Sequence, residues 1–542
     1  GANLGKFFRY ANSKFKHKSS IGPLQDDKGN KTTDPRIKAE LLSNYFQSQF
    51  TIDNSKLPNV TCRTNAGVIS DVKFSPLLVK RILKKLNARS AGGPDGIPPI
   101  FFKQICDSIC QPLAFLFQIL FEEGYMPQIW KKAYITSIYK KGDSTLPSNY
   151  RPISLTCTMC KIMEAIIKDQ LVSNLLSKGL ISKNQHAFIK RHSTVTNLLQ
   201  CTHDWAVAVH SGLAVDVVYI DFARAFDSVV HAKLVHKLQS FGVSGKLLQW
   251  LTVFLTDRYQ CAVVEHCLSE WRPVLSGIPE GTVLGPLLFI LFIDDIGIIC
   301  NGTVNHKLFA DDLKLFTAIS TNHDTCSLQS ALDRLELWCC DWQLTINIGK
   351  CHILHVGNKN TFNSYFLKGN KVNSAHVVGD LGVEVDEGMN YDAHINKIIG
   401  KAYSRIGVLF KGFASRNVQI LKKAYLTYIR PVLEYASSVW SPYLLKHINA
   451  IERVQKYFTR CIPCISHLSY PERLAAIDLE PLELRRLKND LILYYKSYHD
   501  LVALPFNEYF VQSQNVTQTR TGGGRLLRPM CRTNRLENDF FL

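Results

Sequence analysis

"KLFADDLKLF", residues 307–316, sets Asp311 and Asp312 side by side between Phe309-Ala310 and Leu313-Lys314-Leu315-Phe316. The flanks alternate as two half-buried strands do, which places the acids at a hairpin turn. Aspartate is disfavoured inside strands and common at turns. Two adjacent carboxylates nevertheless repel, and something must offset that. An acidic pair at a turn is more often structural than catalytic when it stands alone. A third carboxylate changes the balance.

That third acid is upstream, in "VVYIDFARAFDSV", residues 217–229. Val217–Ile220 reads as a buried central strand with Asp221 at its C-terminal end. A carboxylate there costs free energy unless a cation compensates it. If that strand lies beside the hairpin, Asp221, Asp311 and Asp312 converge. Such a group suits one or two Mg²⁺ ions, hard cations that prefer oxygen ligands. Paired metals are a recurring device for displacement at phosphorus. A second pair, Asp294-Asp295 in "LFIDDIGII", follows the apolar helix expected from Gly285 and is read as structural, capping or solvated. Between the acidic motifs lies "SGIPEGTVLGP", residues 276–286, whose glycines permit a tight turn and close backbone approach to a ligand.

The 542-residue chain is too long for one core. Its formal net charge of +19 points toward a large anionic partner, of which nucleic acid is the commonest, although a merely soluble basic protein fits as well. The 16 cysteines lack the paired spacing of a secreted disulfide scaffold and read as reduced thiols of an intracellular protein. Cys461, Cys464 and His467 have zinc-like spacing but no fourth ligand follows, and Cys157/Cys160 falls in an apolar helical context; buried thiols are the simpler reading. No membrane-length apolar run occurs. The chain opens Gly1-Ala2-Asn3, which reads as a fragment of a longer product.

Five regions are expected: a basic N-terminal extension over 1–75 (a candidate RNA binder, with a helix from about Pro35 to Phe50), a mixed region over 76–215, a strand-rich centre over 216–390, a basic helical part over 391–511, and a flexible tail over 512–542. Strands are expected at "VDVVYIDF", "QCAVVEHC", "HKLFAD", "LKLFTAI" and "CHILHVG".

The order "DFARAFD", "GIPEGTVLGP", "FADD", "WQLTINIGKC" resembles the palm of a reverse transcriptase, more specifically that of non-LTR (LINE-type) retrotransposons. "GPDGIPPIFFK", "YKKGD", "NYRPISL", "NQHAFIKRHST", "DLGVEVD" and "YIRPVLEYASSVWSP" extend the resemblance, and the N-terminal segment is similar to the extension of jockey-like elements. The resemblance implies an α+β right-hand polymerase: fingers at 76–215, a palm with an antiparallel sheet at 216–390 and a helical thumb at 391–511. It implies an RNA-directed DNA polymerase that extends a DNA primer on an RNA template with dNTPs, using two Mg²⁺ ions or Mn²⁺ in their place. Asp221, Asp311 and Asp312 would be the metal ligands, and Lys350 the acid for departing pyrophosphate. Lys140 and Arg151 would hold the triphosphate and Phe226 would exclude a ribose 2′-OH. Gly281, beside Glu280, would support the template–dNTP pair, and Gly379, Leu381, Gly382 and Val383 would approach the primer. The chain shows no endonuclease domain, so the resemblance also implies a nuclease upstream or supplied separately. The expected setting is a cytoplasmic ribonucleoprotein with access to the nucleus.

Three positions depart from the family pattern: Glu280 where Gln is usual, Ala187 for Gly, and Thr282 for Ser. A carboxylate at 280 adds negative charge beside a triphosphate. The alternatives are an RNA-dependent RNA polymerase, which the aromatic Phe226 disfavours, a group II intron-type maturase, and a decayed or domesticated copy that only binds nucleic acid.

Overall fold

The structure, a computed structural model, describes residues 21–60, 63, 66–300, 302–413, 415–510, 540 and 541. The first 20 residues of the expected basic extension and nearly all of the expected tail lie outside them.

In chain order the elements that frame the site are α1 (Pro35–Gln47), α2 (Pro76–Lys85), α3 (Cys106–Glu122), β1 (Lys132–Tyr139), β2 (Tyr150–Leu155), α4 (Thr158–Ser177), α5 (Thr194–His210) and β3 (Ala214–Ile220). After them come α6 (His231–Ser240), β4 (Arg258–Val264), α7 (Gly285–Ile293), β5 (Asn305–Phe309), β6 (Asp312–Ile319), α8 (Asn322–Trp342), β7 (His352–Val356), β8 (Val377–Asp380) and β9 (Val383–Asp386). The C-terminal part is helical and includes α9 (Asp392–Gly412), α10 (Leu445–Arg460) and α11 (Leu482–Tyr498).

The central sheet has β3 in the middle, with β7 on one side and β6 then β5 on the other, these four antiparallel, and a short fifth strand, Asn373–Ser374, pairs parallel with β7. A buried central strand is largely apolar on both faces, and β3 is so apart from Asp216. Val218 and Ile220 join the core that contains α4, α6, α7 and α8, whereas Val215 and Val217 join the core shared with α9 and α10. The same alternation along β6 sends Leu313 and Leu315 to the first core and Phe316 to the second. Asp216 is fully buried in β3 and is satisfied by His355, Asn360, Asn363 and Tyr365, which fasten the loop after β7 to the sheet.

The second sheet is β2–β1–β4, with β1 parallel to β4. Helix α1 covers it. Asp34 caps α1 by accepting from the Arg36 and Ile37 amides at 2.8 and 3.3 Å, and Pro35 begins the first turn. Its buried Ala39, Leu42 and Phe46 pack on Ala133, Ile135, Tyr150, Ala262 and Val264. The N-terminal segment is therefore built into the same small core as the second sheet. All five expected strands are present, and together with the helical flanks they make the mixed α and β architecture of a right-hand polymerase.

Candidate active site

Leu313 pairs with Ile220 across β6 and β3. One step further along that register, Asp221 comes abreast of Asp312. The hairpin joining β5 to β6 has only Ala310 and Asp311 between the paired Phe309 and Asp312. Ala310 has φ +57°, a conformation that usually favours glycine in so short a turn. Gln185, fully buried, holds it there: its side-chain oxygen accepts the Ala310 N–H at 3.0 Å and its amide nitrogen reaches the Ala310 carbonyl at 3.5 Å. The residues beside it add a strand-like rung, with Leu308 N–H donating to Asn184 and His186 N–H to Leu308, both at 2.9 Å.

The turn sends its two acids in different directions. Asp312 leads β6 and lines a cavity of about 140 Å³ with Asp221, Lys350, Lys314, Gly379 and Asp380. Asp311 faces the cations of the second sheet. Burial holds the Asp311 carboxyl above the ordinary carboxylate range, and the nearby Asp221 adds to this. Burial, then Asp311, Asp380 and Asp221, push Asp312 up to about 6. Lys350 lies 3.5 Å from the Asp221 carboxylate and partly neutralises it. Among the described residues no three His, Cys, Asp or Glu side chains already form a closed metal-binding cluster. The donor chemistry still fits a hard divalent cation: the three groups are carboxylates, and Asp311 and Asp312 are both held above the ordinary carboxylate range by desolvation and by neighbouring carboxylates.

On the side of the second sheet, Lys140 follows β1 and Arg151 lies in β2. Burial lowers the Lys140 pKa, and Arg151 lowers it further. The loop 276–284 is zipped onto both neighbours. The Ser154 N–H donates to the Glu280 carbonyl at 2.6 Å, and the Ile278 N–H to the Phe226 carbonyl at 2.9 Å. At Gly281, with φ +108°, a Cβ would lie 2.5 Å from the Ser154 carbonyl, and at Gly277 one would lie 2.7 Å from that of Asp227. Both positions therefore require glycine. Glu164 in α4 is fully buried and accepts from the Val283 and Leu284 amides at 2.7 and 3.0 Å, so it holds this loop just before α7.

Glu280 pairs with Arg151 at 3.4 Å. Burial pushes its carboxyl up to about 7, against the pull of Arg151. Ionised Glu280 thus competes with any phosphate for Arg151. A raised acid pKa destabilises the folded chain as pH rises from the ordinary Glu range through about 7. Glu280→Gln is therefore expected to raise the melting temperature at pH 8 and to lower KM for dNTP several-fold there, since a partly exposed ion pair is worth about 1 kcal/mol. Below pH 6 the two chains should converge. Equal KM values at pH 8 would rule out the competition.

Phe226 stacks on Phe289 of α7, ring centroids 4.1 Å apart at 17°. It is partly exposed at the cleft end of that stack. In the β8–β9 hairpin, Gly379 faces open space, whereas Val383 is fully buried. The hairpin thus offers the cleft Gly379 and the Leu381-Gly382 turn rather than the Val383 side chain. Tyr435 fixes that turn through a 2.8 Å bond to the Leu381 carbonyl.

Residues 138–387, which hold β2 to β9 and every one of these acids and cations, match the reverse transcriptase (RNA-dependent DNA polymerase) family. They form a reverse transcriptase domain. The chain is 26% identical over 437 residues to the RNA-directed DNA polymerase from mobile element jockey of Drosophila melanogaster, covering 77% of this chain and 48% of that protein. Over 435 residues it is 26% identical to the jockey protein of Drosophila funebris, covering 78% and 47%. It is 24% identical over 464 residues to the probable RNA-directed DNA polymerase from transposon BS of D. melanogaster, covering 81% and 51%. The chain spans about half the length of these relatives.

Within the reverse transcriptase domain the second acidic pair is structural. Asp294 is buried against Arg63 at 2.6 Å and accepts the Ser182 N–H, while Asp295 binds Lys237 and the Trp338 indole. Gln185, Arg224 and Asp227 escaped sequence reasoning. Each stands inside a recognisable motif, but local pattern cannot say what a side chain meets across the fold. Gln185→Ala removes the acceptor of a buried N–H and leaves the Ala310 turn unsupported, a loss of about 1–3 kcal/mol. The expected outcome is a melting temperature lower by a few degrees and a kcat for primer extension reduced about 10-fold, with the KM for dNTP little changed. Unchanged kcat would show that the turn holds itself.

Proposed function

We propose that this chain is the RNA-directed DNA polymerase of a non-LTR, jockey-like retrotransposon, extending a DNA primer on an RNA template. The observation that carries this reading is the register of β3 and β6, which brings Asp221 beside the Asp311–Asp312 turn and opposite Lys140 and Arg151. Asp221, Asp311 and Asp312 would hold one or two Mg²⁺ ions, or Mn²⁺, which when bound would supply positive charge to the attacking and leaving oxygens at the α-phosphate. Lys140 and Arg151 bind and orient the triphosphate through charge-assisted contacts. Lys350, at the mouth of the Asp221 cavity, gives a proton to departing pyrophosphate. Phe226, held by its stack on Phe289, blocks a 2′-OH. Gly281 lets the backbone approach the template–dNTP pair, and Gly379 with Leu381-Gly382 supports the primer end, Val383 anchoring the hairpin from below.

The partners would be the template RNA, a nicked target DNA and dNTPs, with the nick made by an upstream endonuclease domain or a separate nuclease. A ribonucleoprotein that forms in the cytoplasm and reaches the nucleus suits these partners. Among the described residues no helix is long and apolar enough to cross a membrane. A second reading, a copy that binds nucleic acid without polymerising, is favoured by one observation, the Glu280–Arg151 pair.

The test is primer extension on an RNA template with Mg²⁺ and dNTPs. Extension that a chelator abolishes is expected, and Phe226→Ala is expected to admit ribonucleotides about 10-fold or more better than the unaltered chain. RNA binding without extension at any pH, with Mg²⁺ or Mn²⁺, would favour the binding-only reading. Unchanged sugar discrimination would remove Phe226 from its role.

A further inference from the structure

The proposed triphosphate site does not end with Lys140 and Arg151. Asp227 lies at its floor. Burial raises its carboxyl pKa, and three cations, Arg224, Lys140 and Arg151, pull the other way. Lys140, Arg224, Asp227, Tyr45, Gln49 and Tyr150 line one small cavity of about 40 Å³. Tyr45 and Gln49 come from the N-terminal segment, outside residues 138–387. Arg224 is exposed, and its backbone is left-handed with φ +51°. A side chain other than glycine is strained there and persists only where its surroundings impose it. Two contacts do so. The Arg224 guanidinium lies 5.1 Å from the centre of the Tyr45 ring, and one of its nitrogens donates to the Tyr45 hydroxyl. Tyr45 in turn is held by α1, whose Phe46 and Leu42 are locked into the core of the second sheet. Asp227 and Glu280 supply two negative charges against the three cations. A polyanion at this end of the cleft would meet a net positive wall.

We infer that Arg224 is a third cationic contact for the triphosphate of the incoming dNTP, and that Tyr45 of the N-terminal helix is the positioning residue that aims it. The inference rests on the polymerase reading and deepens it. It makes the N-terminal segment part of the nucleotide site, supplying the surface against which a flexible arginine is ordered before substrate arrives. Preorganised charge loses less conformational entropy on binding than a free side chain does. The guanidinium remains protonated at any working pH, so its contribution is a fixed charge whose direction Tyr45 sets.

The experiment measures equilibrium binding of dTTP with Mg²⁺ to the full chain on an oligo(A)–oligo(dT) hybrid, alongside steady-state extension. Arg224→Ala is expected to weaken dTTP binding about 10-fold or more, with hybrid affinity unchanged and the KM for dTTP rising more than kcat falls. Arg224→Lys, which keeps the charge, should recover part of that loss. Tyr45→Phe keeps the ring and removes the hydroxyl; it should weaken dTTP binding about 3-fold in the unaltered chain and have no effect in the Arg224→Ala background. Unchanged dTTP affinity in Arg224→Ala overturns the inference. So does a Tyr45→Phe effect that persists without Arg224, and so does an unaltered chain that binds no dTTP. An unaltered chain that binds dTTP through Arg224 yet extends no primer would refute the polymerase reading and leave this contact standing.

Discussion

Asp311→Asn is expected to reduce primer extension by about 10³-fold or more while leaving RNA binding intact. The proposed role asks the carboxylate to hold a cation whose charge stabilises the transition state by several kcal/mol, and about 4 kcal/mol corresponds to a thousandfold in rate. Asn is nearly isosteric, so the turn clamped by Gln185 should keep its shape. Stability should not fall. Asp311 is half-buried near Asp221 with its pKa already raised, so its charge opposes folding at neutral pH, and a neutral amide should melt at the same or a higher temperature. Asp312→Asn should be milder, because that side chain turns toward Asp380 and Lys314 and away from the Arg151 side. Steady-state extension and thermal unfolding of both variants check this. An Asp311→Asn chain that extends within about 10-fold of the unaltered one would remove Asp311 from the chemistry.

The second large effect is on stability. Lys314, in the strand that begins with Asp312, is buried with its ammonium 2.8 Å from the buried Asp380 carboxylate and 2.6 Å from the Asn197 side-chain oxygen. Tyr219 of β3 reaches the same carboxylate at 3.4 Å. Burial works against the charge on Lys314, but Asp380 and its hydrogen bond more than offset this and the pKa rises. The pair ties β6 to the β8–β9 hairpin. Asp380→Ala leaves an ammonium buried without a counter-ion, and breaking one side of such a pair costs about 3–5 kcal/mol. The expected result is a large drop in melting temperature. Joint replacement, Lys314→Met with Asp380→Leu, should recover much of it, because an apolar pair of similar volume has no charge to desolvate. Recovery of the fold without recovery of the primer KM would show that the ion pair sets the register of the hairpin as well as holding it. If Asp380→Ala melts like the unaltered chain, the pair is not a structural tie.

The strands and turns that carry the proposed site residues are legible in local sequence. The alternation around Asp311-Asp312 and the β-branched run before Asp221 report local backbone preference, and such preferences are written in neighbouring residues. The same holds for the glycines at 277 and 281, which stand where a tight turn needs them, although the carbonyls that forbid a side chain there belong to Ser154 and Asp227. Even Glu280 was recognisable as a misplaced charge; that it seizes Arg151 was not.

What the chain by itself determined was thus the element pattern, the acids at the ends of two strands and the family order of its motifs. Tertiary structure decided which distant side chains meet. Gln185 and Ala310 are 125 residues apart, Lys314 and Asp380 are 66 apart, and Tyr45 and Arg224 are 179 apart. Turns and periodicities arise from sterics within a few residues, whereas these contacts depend on how β3, β6 and α1 pack their buried faces. No local pattern encodes such a pairing, because the same Gln, Lys or Tyr would be equally at home facing solvent.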